Sequence, residues 1–202
     1  MSEQTRAYAN FEEHCGREQP GVSPNPEAID WTRQETTRDQ VRIEAVLDML
    51  TLSGAQILHV GVGNSQLAQR FADRVRSIDG LTVHENEKIY AEALSIPNYT
   101  VHVLNKYSRE VVSVLARSYD IIIDNNLASF TCCKQHFYVM LENYIAVLRS
   151  QGGILTCQIG MDVYHGDLGC TMTYADLVNL ERQFPVLVSK LTDVVYALTI
   201  RS

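Results

Sequence analysis

The chain has no Cys-x-x-Cys pair, and its five cysteines, Cys15, Cys132, Cys133, Cys157 and Cys170, are odd in number and irregularly spaced. Neither a disulfide framework nor a zinc knuckle is indicated, and the thiols are read as reduced. Two adjacent cysteines at a helix start, Cys132-Cys133, cannot alone complete a metal shell, so they are read as core packing and no metal is expected. No run of about 18 apolar residues occurs, and Met1-Ser2-Glu3-Gln4-Thr5-Arg6 lacks the apolar stretch of a signal peptide. The expectation is a soluble, cytoplasmic protein without a membrane partner. Basic residues are in deficit: 17 Lys and Arg against 24 Asp and Glu leave a net charge of −7, so no nucleic-acid partner is expected. Internal repeats and low-complexity tracts are absent.

At 202 residues and 46% hydrophobic content the chain fits one globular domain with a modest extension. Residues 1–37 are polar, with Pro20, Gly21, Pro24 and Pro26 clustered. Tyr8, Phe11 and the single tryptophan, Trp31, are their sole large anchors. This extension reads as a drape or lid over one face, with a partly disordered tail as the alternative. The domain proper runs over residues 38–202 and opens with an amphipathic helix carrying Val41, Ala45, Val46, Met49 and Leu50, stopped by Ser53-Gly54.

The most informative stretch is Gln56-Ile57-Leu58-His59-Val60-Gly61-Val62-Gly63-Asn64-Ser65, followed by helical spacing at Leu67, Ala68, Phe71, Ala72 and Val75. It reads as strand, tight glycine turn, helix. Such a turn lets a ligand approach the backbone closely beside a helix N-terminus. Asp79-Gly80 then precedes a second strand, Leu81–His84, closed by the acid Glu85 about 20 positions beyond Gly63. That is near the spacing at which a βαβ unit sets a carboxylate against ribose hydroxyls. A third strand, Tyr99–Leu104, ends at Asn105-Lys106, and a fourth, Tyr119–Ile123, ends at Asp124-Asn125-Asn126. A long helix over Cys132–Arg149 precedes Gly152-Gly153 and a fifth strand, Ile154–Ile159. After a polar loop and a helix capped by Thr173, Val186–Val188 and Val194–Ile200 read as an antiparallel hairpin. Continuous apolar strands alternating with helices describe a parallel sheet covered on both faces.

This order of elements resembles the class I S-adenosylmethionine-dependent methyltransferases over roughly residues 38–202. Gly61-Val62-Gly63-Asn64-Ser65 is similar to a Gly-Cys-Gly-Asn-Ser turn of one branch of that family. Tyr119-Asp120-Ile121-Ile122-Ile123-Asp124 resembles its Phe-Asp-Val-Val-Leu-Asp strand, and Leu148-Arg149-Ser150-Gln151-Gly152-Gly153 its Leu-x-Pro-Gly-Gly connection. Two departures stand beside these matches: His59 where the family often has an acid, and Ser65 where a third glycine is frequent. His59 raises the prospect of pH-dependent cofactor affinity, while Ser65 can cap a helix. The fold implied is α/β, a Rossmann-like doubly wound seven-stranded sheet, mostly parallel with an antiparallel C-terminal hairpin strand.

The resemblance further implies S-adenosylmethionine as cofactor, with S-adenosylhomocysteine as product. Gly61 and Gly63 would line its methionine part, Glu85 beside Asn86 its ribose, Asn105 or Lys106 its adenine edge, and Asp124 with Asn125 the sulfonium and amino group. A carboxylate accepts two hydroxyl donors well and suits a cation. Methyl transfer by in-line displacement demands mainly that the acceptor be held in position, with a base only where the acceptor carries a proton. Candidates for acceptor contact are Asn126, His136, Asp162 and Tyr164, with His165 as the candidate base and Asp167 nearby, since they follow strands four and five on the carboxyl edge. The acceptor is expected to be a small molecule. Aminopropyl transfer, nicotinamide-dependent oxidoreduction and non-catalytic cofactor binding or assembly remain open on the same scaffold.

Overall fold

The structure, a computed structural model, describes residues 6–16, 29–115, 118–162 and 170–201. Seven strands form one sheet: β2 (Gln56–Val60), β3 (Ser77–Thr82), β4 (Tyr99–Val103), β5 (Tyr119–Asp124), β6 (Leu148–Cys157), β8 (Val186–Lys190) and β9 (Val195–Ile200). Their order is β4-β3-β2-β5-β6-β9-β8. The five strands from β4 across to β6 are parallel, and β9 lies antiparallel between β6 and β8. This is the doubly wound α/β sheet with a C-terminal hairpin that the alternation of elements implies. Two short strands, β1 (Arg6–Ala7) and β7 (Cys170–Thr171), pair in parallel outside the sheet.

Successive residues of each central strand pack on opposite faces, which is why these strands are apolar throughout. Ile57, Ile78, Ile123 and Leu155 meet α1 (Arg38–Asp48) and α2 (Gln66–Phe71) through Ile43, Leu47, Leu67 and Phe71. Leu58, Leu81, Ile122 and Ile154 meet α4 (Val111–Leu115), α5 (Lys134–Val147) and α7 (Tyr174–Leu180) through Val111, Phe137, Met140, Tyr144 and Leu177. Each fully buried aliphatic or aromatic side chain contributes about 1.5–3 kcal/mol relative to exposure. Residues 6–16 run along the α5 side, where Tyr8 and Phe11 are buried and the Tyr8 ring lies 4.8 Å from that of Phe137. Among the described residues no helix is long and apolar enough to cross a membrane.

Several elements depart from their sequence-based bounds for reasons visible in the packing. β3 begins at Ser77, ahead of the expected Leu81, and takes in Asp79 and Gly80. Buried Asp79 accepts a hydrogen bond from the Tyr119 hydroxyl at 2.7 Å, and a Cβ on Gly80 would lie 2.5 Å from Val62 Cγ1. The strand therefore ends at Thr82, and Glu85 opens α3 (Glu85–Ala93) instead of closing the strand. In α1 the buried face is Gln40, Ile43, Glu44, Val46 and Leu47, so that Val46 packs as expected while Val41, Met49 and Leu50 are exposed. Buried Glu44 is tolerated because Arg70 binds it at 2.6 Å. β6 starts at Leu148, ahead of Gly152-Gly153, with an irregular register against β5 between Tyr119 and Ile121. Gln158 and Ile159 belong to a short helix, α6 (Gln158–Met161), instead of extending β6.

Candidate functional site

The chain winds from β2 through β3 to β4 on one side of the sheet and from β5 to β6 on the other. β2 and β5 are thus neighbours at which the winding reverses, and the crevice beyond their carboxyl ends is where open α/β sheets hold ligands. Val60, the last residue of β2, is level with Leu81 and with Asp124. The turn that follows has positive φ at Gly61 (78°) and Gly63 (48°), a conformation that favours glycine. Ser65 is also left-handed and makes no cap. Its hydroxyl meets Tyr99 Oη at 3.0 Å, while Asn64 Oδ1 accepts from the Gln66 N–H. A cavity opens on each side of this turn.

The first cavity, about 640 Å³ and partly open, is lined by Gly61, Thr82, Val83, His84, Glu87, Leu104, Asn105, Lys106, Asp124, Ser129 and Phe130. Glu87 is buried, and its Oε2 accepts from Thr82 Oγ1 at 2.7 Å and from the Gly63 N–H at 3.1 Å. Asn105 Oδ1 accepts from the Tyr107 N–H. Lys106 is turned inward: Nζ donates to Asp124 Oδ2 (2.8 Å), to Asp124 Oδ1 (3.1 Å), to the Asn126 carbonyl (2.8 Å) and to Ser129 Oγ (3.2 Å). Burial lowers the Lys106 pKa, and the Asp124 charge opposes that shift. The Tyr144 hydroxyl donates to Asp124 at 2.9 Å; burial foremost, then the Asp124 charge, raises its pKa well above the ordinary phenol value. Asp124 is a carboxylate already matched to a cation.

The second cavity, about 500 Å³, lies on the other side of the same turn, between Gly61, Val62, Gly63 and Asn64 below and Trp31, Gln34, Thr36 and Thr37 above. Asn64 Nδ2 ties the two walls by donating to the Gln34 carbonyl (2.9 Å) and to Thr36 Oγ1 (3.2 Å). The Trp31 ring stands 3.8 Å from the position a Cβ on Gly63 would take. Among the described residues, five buried side-chain atoms make no hydrogen bond: Trp31 Nε1, Gln40 Oε1, both ring nitrogens of His59 and Asn125 Oδ1. All four residues line this cavity. Unmatched buried polar atoms are rare and expensive, and here they converge on one space. Burial lowers the His59 pKa to about 4, so the ring is neutral near pH 7 and carries no pH switch in that range.

Of the residues singled out from sequence, Gly61, Asn105, Lys106 and Asp124 line the first cavity, and Gly61, Gly63 and Asn125 the second. Glu85 is exposed in the first turn of α3, and neither it nor Asn86 lines either of these two cavities; the acid in the first wall is Glu87. Asn126 is buried in backbone bonds, Nδ2 to the Gly160 carbonyl and Oδ1 from the Ala128 N–H. Asp162 is exposed and accepts from Gln158. His136 stands among Cys15, Cys132 and Cys133, away from both cavities. Tyr164, His165 and Asp167 lie outside the described residues. Thr82, Glu87, Trp31 and Gln40 were not singled out as site residues. Glu87 alone carried a signal, since it lies two positions beyond Glu85 in the same acidic cluster.

No protein-family model matches this chain, and no curated protein does. Solved structures share its fold. The N-methyltransferase NodS from Bradyrhizobium japonicum WM9, in complex with S-adenosyl-L-homocysteine, is similar over 83% of this chain and 90% of its own, with a TM-score of 0.62 and 9% identity. An rRNA methylase from Streptococcus thermophilus is similar over 84% of this chain and 100% of its own, with a TM-score of 0.56 and 13% identity. The [4+2]-cyclase SpnF is similar over 74% of this chain, which spans 57% of SpnF, with a TM-score of 0.54 and 17% identity. At these identities the likeness establishes the class I methyltransferase fold, which also houses a cyclase.

Proposed function

We propose that the protein is an S-adenosylmethionine-dependent methyltransferase acting on a small-molecule acceptor. The observation that carries this reading is the set of unmatched atoms in the second cavity. Gln40 Oε1 and Asn125 Oδ1 are acceptors suited to an ammonium, and the Trp31 N–H is a donor suited to a carboxylate. An α-amino acid zwitterion offers both groups, and the methionine moiety of the cofactor is such a group. On the other side of Gly61–Gly63, Glu87 and Thr82 are suited to ribose hydroxyls, and Asn105 with Leu104 to the adenine. The cofactor supplies a methyl group already activated on a sulfonium. The chain's part is to hold both halves across the glycine turn and keep water out.

In this reading residues 29–37 act as a lid, supported by the bonds from Asn64 to Gln34 and Thr36. A small acceptor is favoured by the net charge of −7, although the fold also serves an rRNA methylase. Calorimetry with S-adenosylhomocysteine tests cofactor binding. Micromolar-scale affinity is expected, weakened about tenfold or more in Trp31→Phe, which removes the N–H bonded to a charged group together with part of the ring. No heat with this ligand, beside a clear signal with a nicotinamide dinucleotide, overturns the proposal. Methyl-labelled cofactor should label a component of a small-metabolite extract; label entering only RNA or protein overturns the small acceptor.

A further inference from the structure

We propose that Cys15, Cys132, Cys133 and His136 form a Cys3His site for a single zinc ion, pinning the N-terminal arm to the start of α5. The three sulfurs and one imidazole nitrogen all lie within 4.8 Å of one another. Cys15 Sγ is 3.4 Å from Cys132 Sγ and 3.5 Å from His136 Nδ1, while Nδ1 is 3.1 Å from Cys132 Sγ and 3.3 Å from Cys133 Sγ. A tetrahedron built with Zn–S of about 2.3 Å and Zn–N of about 2.0 Å has edges of about 3.5–3.8 Å. Small rotamer adjustments bring the present cluster to those edges.

Three features argue for a cation over simple thiol packing. The donor set is one of the standard structural zinc sets, complete at four, and thiolates select soft or borderline metals. It is assembled from segments 117 positions apart, so neither half is a site without the other. Its scaffold is fixed independently of the ligands. The Lys134 and Gln135 N–H groups donate to the Glu12 and Glu13 carbonyls at 3.0 Å each, and Lys134 Nζ meets Glu13 Oε1 at 2.7 Å. Cys133 is the N-cap of α5 and His136 lies in its first turn, with these two buried and Cys15 and Cys132 half-buried, leaving an entry path.

Binding exchanges three S–H protons, released to solvent, for three Zn–S bonds, while neutral His136 contributes a lone pair from Nδ1. The Cys132 end of the site continues from the loop that carries Ser129 and Phe130 to the first cavity, so the ion would brace that wall. The proposal stands whether or not the cofactor reading does.

The full chain, purified under reducing conditions, tests it by metal analysis and native mass spectrometry. One zinc per chain is expected. Replacement by Co²⁺ should give the intense visible bands of a tetrahedral site and a near-ultraviolet sulfur-to-cobalt charge-transfer band. Cys15→Ser and Cys132→Ser should each weaken Co²⁺ binding by about a hundredfold or more, whereas Cys170→Ala leaves it unchanged. Because the wild-type spectrum reads the site directly, a variant that fails to fold leaves the test intact. A reduced wild-type chain that takes up neither ion at micromolar concentration overturns the proposal. So does a weak, octahedral cobalt spectrum, a Cys15–Cys132 disulfide in protein that stays metal-free after reduction, or undiminished binding in both serine variants.

Discussion

Glu87 Oε2 accepts the Gly63 N–H at 3.1 Å while holding Thr82 Oγ1 at 2.7 Å, so the helix after β3 is tied directly to the glycine turn after β2. One buried carboxylate thereby shapes the turn and faces the first cavity. Glu87→Ala should weaken S-adenosylhomocysteine binding by about 1.5–3 kcal/mol, the range for a hydrogen bond to a charged group. Glu85→Ala, at an exposed position outside the cavity, should leave affinity unchanged. Calorimetry on the two variants side by side distinguishes them, and equal losses would remove Glu87 from this role.

The His59 ring is held neutral by burial, with a pKa lowered from 6.5 to about 4. The unfolded chain takes up a proton below about pH 6.5 that the folded chain refuses until about pH 4. Stability is therefore full above 6.5 and declines as the pH falls toward 4, by up to about 3 kcal/mol. Urea unfolding of wild type and His59→Phe across this range isolates the contribution, because carboxylate effects are common to both. Parallel acid limbs would exclude it.

Breaking the Lys106–Asp124 pair leaves a buried charge without its partner. Lys106→Met or Asp124→Asn should each cost about 3–5 kcal/mol, and removing both charges in Lys106→Met/Asp124→Leu should recover part of that loss. Denaturant midpoints at constant slope measure it. A double variant no more stable than either single one would mean that the remaining contacts, such as Tyr144, dominate.

Gly160→Ala places a Cβ 2.5 Å from the Asn125 carbonyl and 2.7 Å from Asp39 Oδ2. That carbonyl already accepts from the Cys157 N–H and Thr156 Oγ1, so it has little room to yield. A stability loss of about 1–3 kcal/mol is expected from overpacking, together with weaker cofactor binding as Asn125 shifts. Thermal unfolding with and without S-adenosylhomocysteine reads both effects, and an unchanged melting temperature would contradict the first.

The sheet was legible because its information is local: apolar strands, Gly61 and Gly63 after the first, and the closing hairpin each declare themselves within a few residues. The misreadings share a different cause. Asp79-Gly80 does not look like strand interior until the Tyr119 hydroxyl and the Val62 side chain are brought beside it, and the strand accordingly ends at Thr82, ahead of Glu85. The wall made by Trp31, Gln40, His59 and Asn125 draws on four separate segments, none of which has a pattern of its own. The meeting of Cys132-Cys133 with Cys15 is likewise invisible locally, since Cys15 becomes their neighbour only in the folded chain.

The β1–β7 ladder also sets an order of assembly. Arg6 and Ala7 pair with Cys170 and Thr171, so closing that ladder means closing a loop of most of the chain, and such distant pairings form slowly. The sheet is expected to assemble first and the arm to dock onto it afterward. In pulsed hydrogen exchange the Lys134 and Gln135 amides, which donate to Glu12 and Glu13, should gain protection after those of β5. During synthesis the arm emerges before the elements it packs on, and Tyr8 remains uncovered at least until Phe137 of α5 has been made.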